Sequence, residues 1–118
     1  MKRFAFVLLL FLPLLSAAQV IVNGKDINKL PDVQYIELIV DRRLFMSGQV
    51  FAVIDYGQTI RWGTLRTHRV QDEVGNDRIF GSEMDIFNFL HRNGWIHETS
   101  TAGENFVYHI FRRRAKVE

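Results

Sequence analysis

Cysteine is absent from all 118 residues. That absence excludes disulfides, thiolate metal sites and attachment of a lipid through a cysteine. Proline occurs only twice, and no Pro/Gly/Ser linker, internal repeat or low-complexity tract divides the chain. Serine is scarce: beyond residue 18 there are only Ser47, Ser82 and Ser100. None of them sits in a G-x-S-x-G elbow, and Ser82 has a better use as a helix cap. Gly57, Gly63, Gly75 and Gly81 are too scattered to cradle a phosphate. The sequence therefore assigns no catalytic residue, no metal ligand and no cofactor.

What is present at the start is an export signal. Lys2 and Arg3 are followed by an apolar run from Phe4 to Leu15, broken only by the neutral Pro13. Ser16-Ala17-Ala18 then offers the small residues a signal peptidase needs, so cleavage is expected after Ala18. A membrane anchor would need about 20 apolar residues, and Gln19 ends this run sooner. The expected location is periplasmic or secreted, with no lipid anchor and no membrane-spanning segment after cleavage. Removing the signal also changes the charge. The precursor carries 15 Lys+Arg against 13 Asp+Glu; Lys2 and Arg3 leave, no acid leaves, and residues 19–118 hold 13 of each. The basic balance that suggests nucleic acid belongs to the signal, so no nucleic-acid partner is expected.

Residues 19–118 are expected to form one small α+β domain, with twelve aromatics to fill its interior. Val20–Val22 followed by Asn23-Gly24 predicts a strand entering a two-residue hairpin turn. Residues 34–41 alternate and predict a half-buried strand. Residues 49–56 are apolar on both parities and predict a central strand covered on both faces. Residues 59–67 read as a further strand, with residues 69–74 as its mate or as a loop. Ser82 predicts a helix start, with Glu83 and Asp85 complementing the helix dipole. Met84, Phe87 and Leu90 form its predicted apolar stripe, leaving Phe89 on the far side, and Asn93-Gly94 stops it. Residues 95–99 and 106–112 predict a closing hairpin. The fold class that follows is α+β: an antiparallel sheet of about four to six strands with one amphipathic helix on one face.

Gly57-Gln58 after a core strand, Ser82-Glu83, Asn88, Gly94-Trp95, and Tyr108-His109 before a basic end together resemble a group of small exported bacterial proteins of unknown function. The unit helix–Gly-Trp–strand–hairpin–strand at the C-terminus also resembles a wider set of short bacterial domains, likewise uncharacterised, and the likeness covers roughly residues 20–114. Ile96 stands where relatives often carry an acid. The resemblance implies the fold and an exported location, and it supplies no catalytic or ligand residues.

The remaining candidates are few. His97 and His109 face one another across the final hairpin if its loop is odd, whereas another register puts Tyr108 opposite His97; a metal would need further ligands. Asp72, Asn76 and Glu83 have the spacing of a calcium loop, but Val74 and Asp77 occupy positions that need an oxygen ligand and a glycine. Glu37 and Asp55 form a possible carboxylate pair across two strands. Arg112-Arg113-Arg114 reads as a solvated end that protects a sheet edge. Arg61-Trp62 suits sugar or protein binding if the indole is exposed, but a tryptophan here is expected to complete the core. Two functions remain open. One is a non-catalytic module binding an envelope protein or glycan through its sheet or the 59–80 region. The alternative is a small metal-dependent or hydrolytic enzyme using His97 and His109.

Overall fold

The computed structural model describes residues 18–43 and 48–115; the expected signal up to Ala17, with Ser47 and Lys116, lies outside the described residues. The chain is α+β, with its strands divided between two antiparallel sheets rather than gathered into one. Strands β1 (Ile21–Val22) and β2 (Lys25–Asp26) form the predicted hairpin, with positive φ at both Asn23 (54°) and Gly24 (72°). β1 also pairs with β5 (Val70–Gln71), which completes a three-stranded sheet in the order β2-β1-β5. The larger sheet has the order β4-β3-β7-β6, from β3 (Tyr35–Asp41), β4 (Val53–Asp55), β6 (Trp95–Ala102) and β7 (Phe106–Arg113).

Two expectations about strands need correcting. The apolar segment 49–56 yields β4, which lies at the edge of its sheet, while β3 and β7 are central. Its double-sided burial has a different cause: Val50 bridges to Phe80 and Val53 to Arg69, so the segment is the seam between the two sheets. Residues 62–68 are not a strand but a 3₁₀ segment, broken at Thr64. A second 3₁₀ turn spans Ile27–Lys29.

The α-helix among the described residues, α1, runs Glu83–Arg92 and is capped as predicted, with Ser82 Oγ accepting from Asp85 N. Asp85 in turn accepts from Gly81 N at 2.9 Å, and Gly94 (φ 92°) ends the helix. Its buried face differs from the predicted stripe. Leu90 is buried and Phe87 packs against the core as expected, but Ile86 and Phe89 enter it too, while Met84 is 57% exposed. The helix is rotated because Phe80, brought in by the seam, meets Phe89 edge-on at 5.3 Å. One continuous core joins the helix face, Ile36, Leu38 and Val40 of β3, Val22 and Val70 of the small sheet, and Trp95.

Candidate functional site

Alternation along β3 and β7 gives the large sheet two different faces. Ile36, Leu38 and Val40 with Val107, His109 and Phe111 turn towards the helix and are buried. Tyr35, Glu37 and Ile39 with Phe106, Tyr108, Ile110 and Arg112 turn outward. The 3₁₀ segment crosses one end of this outer face and sets Trp62 edge-on against Phe106 (5.5 Å) and Tyr108 (6.3 Å). Trp62 is not buried as expected: it is 60% exposed, and Tyr35 at the other end is 64% exposed. From the row of Phe106 to the row of Arg112 is six residues of strand, on the order of 20 Å.

Between these aromatics the face combines the apolar Ile39 and Ile110 with two carboxylates. Glu37 and Asp55 are register partners, so the carboxylate pair read from the sequence does meet across β3 and β4. Burial, and then the charge of Asp55, raise the Glu37 carboxyl above its ordinary range. Asp55 accepts from Gly57 N at 2.9 Å. The two line an open cleft of about 300 Å³ with Tyr35, Tyr56 and Ile110. At the far end Arg43 lies over the Phe106 ring at 5.1 Å and grips Asp41 with two bonds of 2.9 Å. This guanidinium holds the Asp41 carboxyl below its ordinary range.

The histidines sit on the other face. In the final hairpin His97 pairs with Phe111, so neither anticipated register occurs. A register shift between His97 and Thr99 makes Glu98 an extra residue. It reaches Arg112 on the outer side, Nε to Oε1 2.6 Å. That bulge reverses the strand's parity and puts His97 and Ser100, three residues apart, on the same face. His97 Nε2 lies 2.7 Å from Ser100 Oγ, and Ser100 Oγ lies 2.5 Å from His109 Nδ1. His109 Nε2 then meets Glu83 Oε1 in the first turn of α1. Phe87 packs edge-on to His109 at 4.7 Å. Among the described residues no three His, Asp or Glu side chains are grouped to hold a metal.

Ser100 and Glu83 are thus the partners that sequence reasoning overlooked. The bulge leaves no compositional signal, and Glu83 already had a role at the helix start. Glu83 is also drawn away from the calcium-loop spacing, in which Asp72 Oδ1 is occupied by Val74 N and Asn76 N (both 3.0 Å).

The arginine run is not a solvated end. Arg112 and Arg113 lie within β7, an interior strand. Arg113 donates to the carbonyls of Ile27, Asn28, Leu30 and Val33 at 2.9–3.2 Å and lies over Trp95 at 4.7 Å. Arg114 donates to His91 O at 3.1 Å. A second structural cluster is centred on Asn23 Oδ1, which His68 Nδ1 (3.2 Å) and Tyr56 OH (3.3 Å) approach, tying the small sheet to β4. Among the described residues no helix is long and apolar enough to cross a membrane. No protein-family model, curated protein or solved structure matches the chain.

Proposed function

We propose that residues 19–118 form an exported, periplasmic or secreted module that binds an envelope partner on the outer face of the large sheet. A glycan suits this face better than a protein. The observation that carries the reading is the exposed Trp62, held edge-on by Phe106 and Tyr108. Large aromatic surface left to water on an ordered sheet face supports a binding role. Trp62 and Tyr35 offer flat apolar platforms, and Glu37 and Asp55 between them accept hydrogen bonds from hydroxyls. Alternating apolar and accepting ground matches a sugar ring, which has an apolar face and a rim of hydroxyls. The open form of the cleft favours an extended polymer over a small enclosed ligand. The export reading and the kinship with small exported bacterial proteins belong to this same proposal and rest on the residues that suggested them.

The test is a fluorescence titration of the exported protein with solubilised envelope polysaccharide. Trp62 fluorescence reports binding in the unmutated protein, because the other tryptophan, Trp95, is fully buried, and the Trp62→Ala and Tyr35→Ala variants are compared with it by calorimetric titration of the same polysaccharide. Trp62→Ala is expected to weaken binding at least about tenfold, or ~1.4 kcal/mol. Thermal stability should change little, since an exposed side chain is lost. Equal affinity in Trp62→Ala and Tyr35→Ala would remove the outer face from consideration.

A further inference from the structure

Ser100 lies between two imidazoles on β6, the free edge of the large sheet. We propose that it is a nucleophile that takes up and releases the acyl group of a carboxylic ester. The site is on the face opposite Trp62 and does not depend on the binding reading.

The direction of the hydrogen bonds supports this role. An ionised Glu83 can only accept, so His109 Nε2 carries the proton they share. Neutral His109 then has its lone pair at Nδ1, and Ser100 Oγ is 2.5 Å away, so the hydroxyl donates to it. The remaining lone pairs of Oγ face His97 Nε2–H at 2.7 Å. Nucleophile, base and orienting carboxylate are thus in bonded contact, a relation recognised by geometry and not by sequence order. Each comes from a different element: Ser100 from β6, His109 from β7 and Glu83 from α1. The base is fixed, being 5% exposed and wedged against Phe87, while Ser100 is exposed and reachable.

The reaction balances with water as the only co-reactant. Ser100 Oγ adds to the ester carbonyl carbon while its proton passes to His109 Nδ1, and Glu83 steadies the imidazolium. The carbon–oxygen bond to the alcohol then breaks, and the alcohol leaves with that proton. Water adds to the acyl-serine, giving a proton to His109; the bond to Oγ breaks, Ser100 regains its proton, and the acid is released. His97 Nε2–H, no longer shared with a free hydroxyl, is the donor nearest the developing oxyanion. An ester suits this open strand edge better than an amide, because an alcohol leaves with less assistance than an amine. Ser100 and His109 are the catalytic residues, and Glu83 is a positioning residue.

The experiment treats the unmutated exported protein with an alkyl fluorophosphonate and maps the adduct by mass spectrometry, alongside p-nitrophenyl acetate hydrolysis. One adduct is expected on Ser100, with none in Ser100→Ala and hydrolysis there falling to background. Glu83→Gln retains the Ser82 cap and is expected to slow both labelling and kcat at least about tenfold with KM little changed. An unlabelled Ser100 in the unmutated protein would overturn the proposal, and that arm involves no variant that could misfold. Equal labelling rates in Glu83→Gln would overturn it too, leaving a hydrogen-bonded line that only holds the helix to the hairpin.

Discussion

Single charged side chains act in this molecule in proportion to what they replace in water. Arg113 supplies donors to four carbonyls of the irregular stretch 27–33, which has few ladder bonds of its own. Arg113→Met keeps much of the volume but takes the side-chain donor from all four, and Ile27 O and Leu30 O alone keep a backbone donor, from Leu30 N and Val33 N. A loss of about 2–3 kcal/mol is expected in urea unfolding. Arg112→Met, which loses only the surface partner Glu98, should cost less than about 1 kcal/mol. Glu37 and Asp41, four residues apart on β3, should give pH effects of opposite sign. Burial and Asp55 raise the Glu37 carboxyl, so the fold binds its proton more tightly than the unfolded chain does. Its contribution is full below the ordinary carboxylate range and is lost as pH rises through the raised value. Arg43 lowers the Asp41 carboxyl, so that contribution is present above the ordinary range and is lost as pH falls. Urea midpoints measured between about pH 3 and 7 should therefore lose their decline on the upper side in Glu37→Gln, and their decline on the acid side in Asp41→Asn. A pH profile unchanged in either variant would refute the assignment for that residue.

Elements whose ends demand a particular backbone were legible in the sequence. Asn23-Gly24, Ser82 and Asn93-Gly94 each meet a requirement few residues satisfy: positive φ, an N-cap oxygen, or a left-handed stop. Strict alternation revealed the two faces of β3 and β7 for the same reason. What stayed hidden depends on tertiary partners. The helix stripe was misplaced because Phe80 arrives from a distant seam, and residues 62–68 turn back where apolar spacing suggested a strand. The bulge at Glu98 was invisible, and with it the meeting of His97 and Ser100. That bulge carries a sharp expectation. Because Glu98 is the extra residue opposite β7, deleting it leaves His97, Thr99 and Ser100 paired with Phe111, Ile110 and His109 as now. The deletion should fold and lose only the Arg112 ion pair, within about 1 kcal/mol of the parent. Deleting Ile110 from the interior strand instead turns Phe111 to the outer face and should abolish cooperative thermal unfolding.

At the scale of the whole molecule, the proposed cleavage after Ala18 can be weighed against the contacts the fold makes at residues 19 and 20. Val20 is fully buried, its N–H donates to Asp26 Oδ1 at 3.1 Å, and its carbonyl accepts from Ile27 N at 2.9 Å. Gln19 N donates to Asn93 Oδ1 at 2.9 Å, and a free ammonium group at that position can still donate. Cleavage between Ala18 and Gln19 therefore keeps every one of these contacts, whereas a cut two residues later removes Val20 from the core. A buried valine is worth about 1.5–3 kcal/mol, a large share of the stability of a small domain. N-terminal sequencing of the exported protein should read Gln-Val-Ile-Val. The same cut takes away Lys2 and Arg3 and balances the remaining charge, so the exported form should pass a heparin column at low salt. A start at Ile21 or beyond would contradict the argument, because the fold would then lack its first buried side chain.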